Sequence, residues 1–162
     1  MQEHLIVDGN NAIHAIPQLA KELPLDRSRA RESLLHLLEP LNSLGAIRLT
    51  VVFDGRGGPQ SVTQYKRLPD YTIIFSSSVE GADGVIERMV MASKQPQCLT
   101  IVTNDSLIRN CAYSHGAAAM KVEEMVKKLD HSIEVSKSVR KMGLGKSRQD
   151  GPFENRIPFP DM

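Results

Sequence analysis

Of the 162 residues only two are cysteine, Cys98 and Cys111, and neither stands in a CxxC spacing or beside a set of histidines. That argues against a zinc ribbon or a disulfide framework and leaves two reduced thiols. Charge of one sign is lacking too. Lys and Arg number 20 against 19 Asp and Glu, a net charge of +1, so no global field announces a polyanionic partner, although a local patch can still attract one. There is no basic start followed by an apolar stretch of signal-peptide length, and no run of about 18 apolar residues that could span a bilayer. A soluble cytoplasmic protein with no membrane association is expected. The sequence contains no internal repeat, and its length supports one domain with a sizeable core rather than two.

Short apolar runs are present instead. His4–Val7, Arg48–Phe53, Tyr71–Phe75, Leu99–Val102 and Ala117–Met120 are mostly rich in Val, Ile or Phe and read as buried strands. Helical periodicity lies between most of them. Arg29–Leu44 gathers Ala30, Leu34, Leu37, Leu38 and Leu41 on one stripe and leaves Arg31, Glu32, His36 and Glu39 largely outside it. Gly81–Ser93 repeats the pattern, Asp105–Ser114 is a shorter helix with Gly116 as its C-cap, and Val122–Leu129 adds a last one. Continuous apolar strands alternating with helices predict a mainly parallel sheet covered on both faces, a three-layer α/β/α sandwich of the Rossmann type. From about Ser132 the periodicity fades. Lys137 to Arg148 holds five basic residues and no acid, and "GPFENRIPFPDM" holds three prolines, so the expectation is a domain over 1–131 and a basic, mobile tail over 132–162.

In parallel α/β sheets ligands sit beyond the carboxyl ends of the strands, which makes the residues just after each run the ones to read. "LIVDGNN" delivers Asp8, "TVVFDGRGG" delivers Asp54, "IVTNDS" delivers Asp105, and "SSSVEGADGVIE" delivers Asp83 with Glu87 one turn later. A single aspartate at such a place is usually a helix cap or turn former. Several together repel one another and call for compensating positive charge; with only oxygen ligands, Mg²⁺ or Mn²⁺ is the natural one. Gly9 and Gly55 let the backbone turn directly after two of the acids. Asn10 and Asn11 can bond without adding charge, one orienting Asp8 and the other contacting substrate.

"IVDGNNAIHA", "VVFDG", "GADGVIERMV" and "IVTNDSLIRNCAYSHGA" together resemble the motif regions of NYN domains, a branch of the PIN-like nuclease superfamily, with the order and spacing of the YacP-like bacterial group. The resemblance spans Leu5 to Met120. It implies a PIN-like fold, an acidic pocket for a divalent metal, and endonucleolytic cleavage of RNA. Position by position, Asp8, Asp83 and Asp105 match the acidic metal-site and catalytic residues, Asn10 or Asn11 matches the amide after the first acid, and Asp54 matches the acid after the second strand. Ser106 takes the small polar position beside Asp105. The implied partner is RNA, with the ribosome or another RNA-containing assembly as a setting left open, as is the oligomeric state. The role of Glu87 and the number of metals are open as well.

Other classes fit less well. A binding module that kept an RNA pocket but lost turnover would be free to lose the acids retained here. A phosphoacceptor receiver would use Asp8, Asp54, Thr103 and Lys121, but it resembles a pair of adjacent acids after the first strand, where this chain has Gly9 and two asparagines. A haloacid-dehalogenase phosphatase wants an acid at position 10, occupied by Asn10. His14, His36 and His115 belong to no nucleophile or metal motif and read as surface or packing residues. The segment around Arg56, Lys66 and Arg67 reads as a loop on the substrate side with Tyr65 available for base stacking, or as a solvated loop. Arg31 can reach the pocket to contact a phosphate.

Overall fold

Each of the five apolar runs becomes a strand in the computed structural model, which describes residues 2–43, 46–55 and 57–147. In chain order the strands are β1 (His4–Asp8), β2 (Arg48–Phe53), β3 (Ser61–Gln64), β4 (Tyr71–Phe75), β5 (Leu99–Val102) and β6 (Ala118–Met120), and they form one sheet in the order β3-β4-β2-β1-β5-β6. All pairings are parallel except that of β3 with β4. β1 sits between β2 and β5, with Val7 level with Val51 on one side and Val102 on the other.

The helices are α1 (Gly9–Ala15), α2 (Pro17–Ala20), α3 (Arg27–Ser43), α4 (Gly81–Ala92), α5 (Ser106–Ser114) and α6 (Val122–Ser147). Because side chains alternate along a strand, each central strand feeds two cores. Leu5, Val7, Val51, Phe53 and Val102 pack under α1, α2, α3 and α6, whereas Ile6, Val52, Ile74 and Ile101 pack under α4 and α5. The result is the expected three-layer α/β/α sandwich. The chain passes from β1 to β2 on one side and later returns to β5 on the other, so the crevice where its path divides opens beyond the carboxyl end of β1.

Four sequence expectations change. The segment after Asp54 is not all loop: Ser61–Gln64 adds an antiparallel edge strand, invisible to periodicity because all four residues are exposed. Tyr65 is not available for stacking; it is 7% exposed, packs on Tyr71 with ring centroids 4.7 Å apart, and donates its hydroxyl to Glu39 Oε2 at 3.1 Å. Arg31 faces inward on α3 rather than out. The helix expected over Val122–Leu129 continues to Ser147. Of the basic segments, Arg56 and residues 148–162 lie outside the described residues. No helix among the described residues is long and apolar enough to cross a membrane.

Candidate active site

Asp8 ends β1 and at the same time caps α1, where its Oδ1 accepts from the Asn11 backbone N–H at 3.4 Å. The chain must turn from strand to helix within one residue against the ring of Phe53. A Cβ on Gly9 would collide with that ring, so only glycine fits. Gly55 is equally constrained, since a Cβ there would overlap the Ser76 carbonyl oxygen. The two asparagines then fasten α1 to both neighbouring strand ends. Asn10 Oδ1 accepts from the Asp54 N–H at 3.0 Å, and Asn11 Oδ1 accepts from the Asn104 N–H at 2.7 Å. Their side-chain oxygens thus hold the loops after β2 and β5 rather than orienting Asp8, which Asn11 reaches only through its backbone.

The remaining acids arrive by similar local devices. Asp105 caps α5, its Oδ1 accepting from the Leu107 N–H at 2.9 Å. Asp54 lies across the crevice from α4 and accepts from the Ala82 N–H at 2.9 Å, so it satisfies a first-turn donor that the helix's own cap, Glu80, leaves without a side-chain acceptor. Asp83 stands exposed in the first turn of α4. Sequence reasoning gave Thr103 a site role only in the receiver reading that fits less well, yet it is fully buried between two acids. Its hydroxyl donates to Asp8 Oδ2 at 3.1 Å and accepts from the Asp105 N–H at 3.1 Å. The signal was a hydroxyl ending an otherwise apolar run, "IVTND". Asn104 was missed; its Oδ1 accepts from the Val122 N–H at 2.9 Å and ties α6 to the same crevice.

Electrostatics couple these groups. Burial is the main force that pushes the Asp8 carboxyl up to about 6, reinforced by the charges of Asp83 and Asp54 and partly opposed by the bonds from Asn11 and Thr103. Asp83 is raised by its partial burial and then by Asp105, Asp54 and Glu87. Asp8, Asp54, Asp83 and Asp105 therefore share one negative field. Glu87 is exposed one turn after Asp83 on α4 and adds its charge to the field at Asp83, and Ser106 is exposed at the first position of α5 beside Asp105. His14, His36 and His115 are exposed, in keeping with surface roles.

The Asp8 shift has a measurable consequence in the metal-free protein. Native Asp8 keeps its proton to about pH 6, while the unfolded chain loses it near the ordinary aspartate value of 3.8. Between those values the native state binds more protons, so this group's contribution to stability falls as pH rises. Two pKa units correspond to about 3 kcal/mol. Asp8→Asn should accordingly be stabilising in EDTA at pH 7 by up to that amount, with the advantage shrinking toward pH 4. Urea unfolding of both proteins across this range checks it; parallel pH profiles would refute the buried-carboxylate account.

The acids offer oxygen donors only, the chemistry that suits a hard cation, and their mutual repulsion is what such a cation relieves. Among the described residues, no three Asp, Glu, His or Cys side chains are close enough to hold an ion as they stand. The chemistry of the donors fits a divalent metal, while a ready-made cage is absent from the described side chains.

Comparison with known proteins bears on the family and the fold. The family model of the YacP-like NYN domain matches residues 5–157. The chain is similar to a crystal structure of a tryptophan-to-leucine mutant of Rae1 (YacP) from Bacillus subtilis, with a TM-score of 0.72 and 24% identity over 88% of this chain and 84% of that one. It is also similar to Rae1 (YacP) from the same organism, with a TM-score of 0.65 and 26% identity over 88% and 82%. A search of curated proteins finds no match.

Proposed function

The chain belongs to the YacP-like NYN domain family, and from that premise we propose that it is a metal-dependent endoribonuclease that hydrolyses RNA phosphodiester bonds to leave 5′-phosphate and 3′-hydroxyl ends. The coarser part, a nuclease-type and RNA-related function, comes with the family. The finer part rests on one observation above the rest: Asp8, Asp54, Asp83 and Asp105 line the crevice where the chain path divides, and there burial, then the charges of the neighbouring acids, raises the carboxyls of Asp8 and Asp83.

Asp8, Asp83 and Asp105 would hold Mg²⁺ or Mn²⁺, whose charge would stabilise the scissile phosphate and acidify an attacking water. The chain's own groups prepare the place. Thr103 fixes the Asp8 and Asp105 segments relative to each other. Asn10 and Asn11 lock the loops after β2 and β5, so the acids cannot drift apart to relieve their repulsion.

A second reading, an RNA-binding module without turnover, draws on the absence of a ready-made three-ligand set among the described side chains. One assay separates the two. Mixed cellular RNA incubated with the protein and Mg²⁺ or Mn²⁺ should acquire discrete new ends that an EDTA control lacks. RNA bound but intact under every metal condition would select the binding module.

A further inference from the structure

Beside Asp54 lies a cavity of about 430 Å³ lined by Asn10, Arg27, Ser28, Arg31, Asp54 and Gly55. Its size falls in the range of small-ligand sites. It shares Asn10, Asp54 and Gly55 with the acidic crevice, so it adjoins that crevice on the β2 side. Its other wall is cationic.

Arg31 is the unusual member. Hydrophobic patterning assigns it to the outer face of α3, yet it is only 8% exposed. Its Nη2 donates to Ser28 Oγ at 3.2 Å, and its guanidinium carbon lies 5.7 Å from the Phe75 ring centroid. Phe75 in turn rests on Phe53, centroids 5.5 Å apart. A guanidinium stacked and hydrogen-bonded in this way is a planar donor fork fixed before any ligand arrives, which suits a phosphate better than a flexible ammonium would. Arg27, four residues earlier on the same helix face, is exposed and brings a second positive charge to the same cavity. A place where local patterning fails and a charge is held inside is where function is to be sought.

We propose that Arg27 and Arg31, with Ser28, form a subsite for an RNA backbone phosphate adjacent to the phosphate presented to the acids. The strand-end carboxylates repel an RNA strand, and this subsite supplies the local attraction that a net charge of +1 does not. The choice of RNA as ligand rests on the proposed function, and the subsite deepens it by fixing where the strand leaves the crevice, along the amino-terminal end of α3.

The test is binding without turnover. The full chain in EDTA is titrated into a fluorescein-labelled 12-nucleotide RNA over a salt series, followed by anisotropy. Arg27→Gln and Arg31→Gln should each weaken binding about tenfold and flatten the slope of log K against log salt by about 0.7. Arg31→Lys should recover the slope but not all the affinity. In Mg²⁺ the same variants should raise KM and leave kcat nearly unchanged. Inorganic phosphate and a nucleoside 5′-monophosphate at micromolar concentration should not displace the RNA; displacement by the monophosphate would assign the cavity to a free nucleotide and overturn the proposal. So would an unchanged affinity and slope in Arg27→Gln, an exposed position whose substitution leaves the core untouched and which decides the matter if Arg31→Gln fails to fold. Because binding is read in EDTA, a protein that never cleaves RNA would sink the nuclease reading and still leave the subsite decided.

Discussion

Asp8→Asn, Asp83→Asn and Asp105→Asn are each expected to lower RNA cleavage by about 1000-fold while the protein stays folded. A metal supplies several kcal/mol of charge stabilisation at a phosphate, and each 1.36 kcal/mol is a factor of ten in rate. The three substitutions differ in what else they touch. Asp8 and Asp105 cap α1 and α5, but asparagine caps nearly as well as aspartate, so both helices should survive. Asp83 is exposed and makes no cap, which gives Asp83→Asn the cleanest readout. Circular dichroism and initial rates on one defined RNA measure both sides. Wild-type rates in a variant carrying all three changes would place the chemistry elsewhere.

Chelation is the second large effect. In EDTA, cleavage should fall to background and return on adding Mg²⁺ or Mn²⁺. The pH dependence of that return carries the sign of the Asp8 shift: only the carboxylate can hold the ion, and the proton leaves it near pH 6 in the metal-free protein. The metal concentration for half-maximal activity should therefore rise about tenfold for each pH unit below 6 and level off above it. A half-activation point constant from pH 5 to 7 would remove Asp8 from the set of ligands.

Much of this was legible in the sequence because the central strands are buried on both faces, and double burial writes a continuous apolar run ending abruptly in a polar group. β1, β2 and β5 announce themselves this way, and β4, which is only partly buried, does so through its Ile and Phe. β3 could not, since an exposed edge strand of Ser, Val, Thr and Gln has no face to mark. The extent of α6 was hidden for a related reason: the apolar periodicity that marks its start fades after Ser132, while the helix goes on.

At the site, the ordinary reading holds for three of the four aspartates, and it is compatible with the function proposed for them. Asp8 and Asp105 are helix caps and Asp54 satisfies a helix donor from across the crevice, yet the same three acids share a field with Asp83. Capping is how this fold brings carboxylates to the strand ends without leaving them unsupported. What pattern could not supply was partnership over long sequence separation. The Thr103 link to Asp8 joins residues 95 positions apart, and the Asn11 link to Asn104 joins residues 93 apart. Arg31 shows the converse, a residue whose type pointed outward and whose partners, Ser28 and Phe75, held it in.

The central claim is that the clustered acids direct water, not the RNA's own 2′-hydroxyl, at phosphorus. In-line attack by water breaks the bond from phosphorus to the upstream 3′ oxygen and leaves the phosphate on the downstream fragment. Attack by the 2′-hydroxyl leaves a 2′,3′-cyclic phosphate and typically wants a general acid and base such as paired histidines, whereas His14, His36 and His115 are exposed, with His36 bonded to Glu39 and His115 to the Cys111 carbonyl. Mass spectrometry of the termini from one defined RNA cut in Mg²⁺ decides between them. This account predicts 5′-phosphate and 3′-hydroxyl ends; 2′,3′-cyclic phosphate ends would contradict it.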